Sequence, residues 1–237
     1  SGAGDSWLDL GVTNEFRLFD RIVDSQTSNP DTIDISVDQP NLLNAVAGFN
    51  LVGNTMRVIV QTVNEGVVYD RTQSLQDNAE ITNWSAYFFD PIISKSDLVF
   101  LDLPQYRGAA VRAIVDNTGS DAKAGEIVIG RQQELGITNF NTSVSIIDYS
   151  IRPPYQFGSL TVIKRRFAKR VSFDVSVPTR SSAGVQRALA ALRATPIVYI
   201  GDATREETIV FGFYRDFSII LSNPALSEGA IEVEGLT

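Results

Sequence analysis

The residues of this chain that could do chemistry are its carboxylates, because the sequence contains no histidine and no cysteine. Without imidazole or thiolate there is no Ser-His-Asp or Cys-His nucleophile, and no zinc, haem-thiolate or iron–sulfur site. The 28 aspartates and glutamates still allow a carboxylate glycosidase or an oxygen-ligated Ca²⁺ or Mg²⁺. Glycoside hydrolysis depends on the distance between two carboxylates, which the sequence does not give. We expect a non-enzymatic protein without a cofactor.

One acidic loop offers oxygens to a cation. Asp116, Asn117 and Asp121 lie in a segment of strong turn residues, but the spacing lacks the EF-hand pattern. Asp, Asn and Gly are also the residues that any hairpin end prefers. We therefore predict a turn at residues 116–121, with residues 126–130 as the partner strand, and no metal site.

One basic cluster marks the second half of the chain. Five cations within residues 164–170 would repel one another on a strand unless a negative partner lies near. Nucleic acid is one such partner, but the acidic first half, in the same chain or in a neighbouring copy, is a more economical one. Basic residues also protect sheet edges from wrong pairing. We predict an assembly interface at Lys164, Arg165, Arg166, Lys169 and Arg170.

The first half carries a group of aromatic residues that could stack on a sugar ring. Trp84, Tyr87 and Tyr106 are the candidates for glycan contacts. The competing interpretation is the hydrophobic core, since the aromatic density of residues 84–89 favours burial of several of them. We favour the core for any single one of these side chains.

Charge divides the chain into two parts. Residues 1–135 carry 9 Lys and Arg against 19 Asp and Glu, whereas residues 136–237 carry 11 against 9. The net charges of −10 and +2 predict two domains, 1–135 and 136–237. The acidic part repels phosphates, so we expect no nucleic-acid binding by the whole chain. No apolar run approaches 18 residues and no signal peptide opens the sequence, so we expect no membrane insertion.

The pattern of the first half predicts an all-β sandwich of jelly-roll type. Apolar residues alternate with polar ones around residues 33–37, 56–60 and 109–115, and turn residues separate these runs. Asn64 to Gly66 predicts a hairpin turn. Short strands at this spacing are typical of a two-sheet sandwich.

The second half predicts further strands and one helix. An extended segment covers residues 161–177, and strands are expected at 197–200, 212–221 and 230–236. Ser181 and Ser182 favour the start of a helix near 182–194, whose apolar stripe must pack on a sheet. The expected fold is therefore all-β, with a jelly-roll sandwich followed by a β-rich, barrel-like domain with one packed helix.

Seven short segments, spread along nearly the whole chain, carry a resemblance to known proteins. They are WLDLG at 7–11, FRLFD at 16–20, WSAYFF at 84–89, LDLP at 101–104, GEIVIG at 125–130, FGFYRDFS at 211–218 and EVEGL at 232–236. Taken together, they resemble a group of tailed-bacteriophage virion proteins described as carrying a carbohydrate-binding domain. The first half is similar to the galactose-binding-like jelly roll, and the second to the sheet-plus-helix domain of distal tail proteins.

This resemblance implies a structural role in the tail of a virion, after synthesis in the host cytoplasm. The partners would be other tail proteins and copies of the chain itself. A carbohydrate-binding adhesin that recognises host surface glycan is the alternative, because the galactose-binding-like fold serves both purposes.

Overall fold

The computed structural model describes residues 11–77, 83–89, 93–151 and 162–237. Strands make up most of its regular structure, and the strand pairings of the described residues are antiparallel. The all-β class expected from the sequence is confirmed.

The first half packs a four-stranded and a three-stranded sheet on one core, and two short strands form a separate two-stranded sheet. Its described strands are β1 (Thr27–Gln39), β2 (Ala45–Phe49), β3 (Thr55–Thr62), β4 (Gly66–Ser74), β5 (Gln76–Asp77), β6 (Ile93–Ser94), β7 (Leu98–Phe100), β8 (Ala109–Ala124) and β9 (Glu126–Gly130). A four-stranded sheet has the order β1-β8-β3-β4, and a three-stranded sheet has the order β7-β2-β9. A short helix, α1 (Trp84–Phe89), lies between β5 and β6 in the sequence.

The core of this sandwich confirms the alternation seen in the sequence. Met56, Val58 and Val60 of β3 are completely buried, and Val111 and Val115 of β8 lie beside them. Apolar residues of the three-stranded sheet belong to the same cluster, which closes the sandwich. The predicted hairpin between β3 and β4 is confirmed as well.

The turn predicted at residues 116–121 is wrong, because β8 continues through it. β1 pairs with β8 on both sides of an irregularity between Pro30 and Thr32. Asp31 and Gly119 there have φ of 62° and 89°. The turn residues thus form a bulge rather than a chain reversal.

Residues 126–130 form the predicted strand, but the partner predicted for it was wrong. β9 pairs with β2 in the other sheet, not with β8. The chain changes sheets at Gly125, where a Cβ atom would lie 2.2 Å from the Val23 carbonyl oxygen. Only glycine fits such a close backbone approach.

The described strands of the second half form one six-stranded sheet. Its described strands are β10 (Ile137–Thr138), β11 (Ser143–Asp148), β12 (Phe167–Pro178), β13 (Ile197–Ile200), β14 (Ile209–Ile220) and β15 (Leu226–Gly235). Their order is β10-β12-β15-β14-β13, and β11 pairs with β12 beside β10. The extended segment predicted at 161–177 is confirmed from Phe167 onward, and its residue 161 lies outside the described part.

The predicted helix is present and begins at residue 182 as expected, but it ends earlier and lacks the expected side-chain cap. It is α2 (Ser182–Ala191), preceded by a 3₁₀ turn, and Ser181 makes no side-chain capping bond. The helix ends before residue 194 because Ala194 has a φ of 58°, outside helical geometry. Val185 and Leu189 pack against the sheet as expected from their spacing.

Hydrophobic packing falls into one cluster in each half and a third cluster that joins them. In the joining cluster the rings of Phe49 and Phe211 have centroids 5.7 Å apart. Leu135 packs against the cluster of the second half. The division into domains 1–135 and 136–237 stays a prediction. None of the described helices is long and apolar enough to cross a membrane.

Candidate assembly surface

The basic segment predicted as an interface lies on a two-stranded ribbon. β11 pairs with the first residues of β12, and the pairing continues through a bond from the Tyr149 amide to the Arg166 carbonyl and a bridge between Ile151 and Ile163. We call residues 143–151 and 162–172 the ribbon. Ala168 and Val171 are its buried residues on β12.

Three of the five predicted interface cations form ion pairs within the chain. Lys169 pairs with the Asp97 carboxylate, whose side chain is 7% exposed. The Arg166 Nε lies 3.1 Å from Asp24 Oδ2. The third is Arg170, whose Nε lies 3.3 Å from Glu232 Oε1 on the neighbouring strand. Lys169 and Arg166 therefore hold the ribbon to the acidic first half.

The other two predicted interface cations lie at the exposed end of the ribbon. Lys164 and Arg165 are exposed, and neither forms an ion pair within the described residues. The Arg165 backbone amide is fixed by the Ser150 hydroxyl at 3.0 Å, so the backbone at this position is held. Two positive charges therefore remain available on the ribbon, and the assembly interface predicted for all five cations stays a prediction.

Apolar side chains accompany these charges. Ile146 is 67% exposed and Phe167 is 56% exposed, and Val144, Ile151 and Ile163 are exposed as well. Val144 and Ile146 lie on one face of β11. Their cross-strand partners on β12 are Val171 and Lys169. Contiguous exposed apolar surface of this kind marks interaction sites.

A polar junction behind the ribbon joins the two halves. The Glu206 Oε1 accepts bonds from the Ser96 hydroxyl at 2.6 Å, from the Ser96 amide at 2.9 Å and from the Asp97 amide at 3.2 Å. The Asn50 amide donates to Asp97 at 3.1 Å. Sequence analysis missed this junction, and no local signal could have found it, since Ser96 and Glu206 are 110 residues apart.

The aromatic candidates divide into two groups. Trp84 and Tyr87 of α1 are 79% and 63% exposed, with ring centroids 6.2 Å apart. Phe88 and Phe89 are also exposed, so the expectation that several of these residues belong to the core is wrong. The rings of a six-residue helix pack on one another instead, as the stacked Trp84 and Phe88 do.

Tyr106 belongs to a different environment. It is partly buried against the core of the sandwich, and its hydroxyl donates to Glu65 Oε2 at 2.5 Å. This bond raises the pKa of Tyr106. The ring contacts found among the described residues do not join Tyr106 to Trp84 or Tyr87. The structure thus brings two of the three predicted glycan contacts together.

The acidic segment considered for a cation is internally bonded. The Asp116 carboxylate accepts from the hydroxyls of Thr118 and Thr32, at 3.0 and 3.3 Å. The Asp31 carboxylate accepts from the Gly119 amide. Within the residues described, no cluster of three or more Asp and Glu could hold a metal ion.

A cavity of about 980 Å³ lies between the two halves. Its walls are the strand residues 45–47 and 197–200, the connecting segment 131–136, and apolar residues of β12 such as Phe173. Tyr199 lines it and is 5% exposed, and its hydroxyl makes no hydrogen bond within the described residues. Burial raises the pKa of Tyr199 to about 12, and the nearby Tyr214 amide opposes that rise.

Comparison with known proteins gives no relative from which a function could be inferred. No protein-family model, curated protein or solved structure matches the chain. The function must therefore be argued from the ribbon, the aromatic helix and the cavity.

Proposed function

We propose that this chain is a non-enzymatic structural component of a bacteriophage tail, which assembles with copies of itself or with other tail proteins in the virion. The observation that carries the proposal is the ribbon, which presents exposed apolar side chains together with Lys164 and Arg165, two cations that form no ion pair within the described residues. The phrases that resemble tailed-phage virion proteins support the tail as the place of assembly.

The physical argument has two parts. Burial of exposed apolar side chains such as Ile146 and Phe167 gives about 25 cal/mol for each Å² removed from water. The chain has a formal net charge of −8, which is concentrated in the first half. A positive ribbon is therefore attracted to the acidic half of a neighbouring copy, and this complementarity selects the orientation in which two copies meet.

Sedimentation velocity of the whole chain tests the proposal, over a range of concentrations at low and high ionic strength. Arg165→Glu should weaken self-association, with the larger effect at low ionic strength, where charges are least screened. Arg187→Glu is the matched control, because Arg187 is exposed on α2 and bonds to its own helix. A wild-type chain that stays monomeric at every concentration, alone and with other tail proteins, would overturn the proposal.

A second candidate function is favoured by the exposure of α1. Trp84 and Tyr87 present flat aromatic surface to solvent, which is what stacking on the apolar face of a sugar requires. In this case the chain is an adhesin that recognises host surface glycan.

A glycan array separates the two candidates. Binding that is lost in Trp84→Ala and kept in Tyr106→Phe would support the adhesin, since Tyr106 lies apart from the aromatic helix. Quenching of fluorescence by the bound oligosaccharide should then persist in Trp7→Phe and disappear in Trp84→Phe. Silence of the wild-type chain across the array would count against it.

A further inference from the structure

A lysine amine meets a buried carboxylate where the two halves join. Lys169 of β12 contacts Asp97 Oδ2 through its Nζ, and Asp97, whose side chain is 7% exposed, comes directly before β7. Among the ion pairs of the described residues, this is the one whose cation is a lysine. Arginine keeps its proton in proteins, whereas a lysine can lose one and act as a nucleophile. The junction therefore places a nucleophile against a carboxyl group.

The surroundings of Asp97 hold its other oxygen. Asp97 Oδ1 accepts from the Asn50 amide at 3.1 Å and from the Ser96 hydroxyl at 3.3 Å. The Ser96 hydroxyl oxygen also lies 2.6 Å from Glu206 Oε1, so its proton can turn to either carboxylate. Donors fixed in this way stabilise the negative charge that develops on an oxygen when the adjacent carbon is attacked. The carboxyl carbon of Asp97 thus lies between an amine on one side and two donors on the other.

We propose that Lys169 and Asp97 become joined by an amide bond, which is a covalent link between the two halves of the chain. Lys169 Nζ attacks Asp97 Cγ, and Oδ2 leaves as water with two protons that come from the ammonium group. The new C–N bond replaces the bond from Cγ to Oδ2, and Oδ1 becomes the amide oxygen. The positive and negative charges of the ion pair disappear together, and the step needs no oxidant and no co-reactant. The ion pair is the state before the bond forms.

Two features favour this condensation over its reverse. The fold holds the two reacting groups in contact, and effective concentrations of about 10⁵ to 10⁸ M are reached by groups held in this way. The Asp97 side chain is nearly buried, so the site excludes the water that would hydrolyse the bond. Residues of the joining apolar cluster adjoin it in the sequence, since Phe49 precedes Asn50 and Val99 follows Asp97 by two positions.

The bond closes a long loop of the chain. Lys169 and Asp97 are 72 residues apart, and a link across such a loop restricts the unfolded chain as a disulfide does. The sequence contains no cysteine, so no disulfide can supply this restraint. The link also ties β7 in the three-stranded sheet to β12 in the six-stranded sheet. The proposed function does not depend on this bond, which serves a tail protein and an adhesin alike.

The intact mass of the folded chain tests the proposal. A linked chain is lighter than its sequence by one water molecule. Lys169→Arg keeps a positive charge beside Asp97 but carries no amine that can be acylated, so this variant should have the full mass. Lys164→Arg is the matched control, because Lys164 is an exposed lysine of the same ribbon. It should keep the mass loss of the wild type.

Tryptic digestion locates the bond. Trypsin cleaves after Lys95, Arg107, Arg166 and Arg170, and it does not cleave after a lysine whose amine is acylated. A linked chain therefore gives one branched peptide in which residues 96–107 are joined to 167–170, and fragmentation in the mass spectrometer identifies it. A wild-type chain that keeps its full mass and gives no branched peptide after prolonged incubation would overturn the proposal. A mass loss that persists in Lys169→Arg would overturn it as well.

Glu206 is a positioning residue for this step. Its Oε1 accepts from the amides of Ser96 and Asp97 at 2.9 and 3.2 Å, and so fixes both residues. Glu206→Ala should slow bond formation at least about tenfold, and Glu206→Gln, which keeps an acceptor oxygen, should restore the rate. Mass spectra of chains sampled at intervals after cell-free synthesis measure the rates. Equal rates in the wild type and in Glu206→Ala would overturn the positioning of Asp97 by Glu206.

Discussion

The outer face of the four-stranded sheet and the ribbon are both exposed and both carry cations, but they differ in how many of these cations form ion pairs. On the sheet, Arg57, Arg71 and Arg112 each pair with a carboxylate, namely Asp70, Asp102 and Asp34. On the ribbon, Lys164 and Arg165 pair with none in the described part of the chain. A face that neutralises its own charges is suited to solvent, whereas a face that leaves charges and apolar groups together is suited to a partner.

The ion pairs on the sheet lower the pKa values of their carboxylates. The hydrogen bond from Arg112 lowers the pKa of Asp34, and the bond from Arg57 lowers that of Asp70. Carboxylates with lowered pKa values contribute stability above their unfolded pKa, and this contribution is lost as the pH falls through the folded value. Because these pairs are exposed to solvent, their contribution to the unfolding free energy is small. Their main effect is to neutralise the charges on this face of the sheet.

The largest effect is expected where the ribbon touches the first half. Lys169→Met leaves the Asp97 carboxylate buried without its cation, and the loss of one partner from a buried pair costs about 3 to 4 kcal/mol of unfolding free energy. Urea denaturation followed by fluorescence measures it. Arg112→Met, on the sheet, is the control and should cost far less, because its ion pair with Asp34 is exposed to solvent. Equal losses in the two variants would remove the distinction between the junction and the sheet surface.

A smaller effect is expected from Glu126, a buried carboxylate that forms no ion pair within the described residues. Glu126 is 5% exposed and accepts a bond from the Arg21 amide at 2.9 Å. Burial raises its pKa to about 7, and the nearby charge of Asp20 adds to the rise. Because the folded pKa is the higher one, the folded chain holds the proton longer than the unfolded chain. The stability that this group contributes is complete below pH 4.5 and is lost as the pH rises through about 7.

Glu126→Gln tests this by removing the titration and keeping an acceptor for the Arg21 amide. The wild-type unfolding free energy should fall by about 2 kcal/mol more than that of the variant between about pH 5 and about pH 8. Denaturation curves at several pH values give both slopes. Parallel pH profiles of the unfolding free energy for the two proteins would show that folding does not raise the pKa of Glu126.

The parts of this molecule that the sequence predicted are those decided within one strand or helix. The burial of Val111 and Val115 follows from alternation, and that of Val185 and Leu189 from helical spacing. Gly119 lies in a bulge rather than a turn, because β1 pairs with β8 on both sides of it. The β1 residue that contacts Gly119 is Asp31, which is 88 residues away in the sequence.

In the candidate assembly surface, too, the sequence predicted local features and missed those that depend on distant residues. The basic segment was visible as a composition, but its division into internal and outward cations depends on Asp97 and Asp24, which are distant in the sequence. The exposure of Trp84 depends on which elements cover α1, and aromatic density does not report that.

The smallest effect is expected from the ribbon cations themselves, and it sharpens the comparison most. Arg166→Glu breaks an exposed pair with Asp24 and places two carboxylates together, so unfolding free energy should fall by about 0.5 to 1 kcal/mol. Arg165→Glu, next to it, breaks no pair and should leave stability within about 0.5 kcal/mol of the wild type. Thermal and urea denaturation of monomeric samples measure both. If Arg165→Glu is the variant that destabilises the monomer, its charge serves the fold, and the ribbon is not a surface kept for a partner.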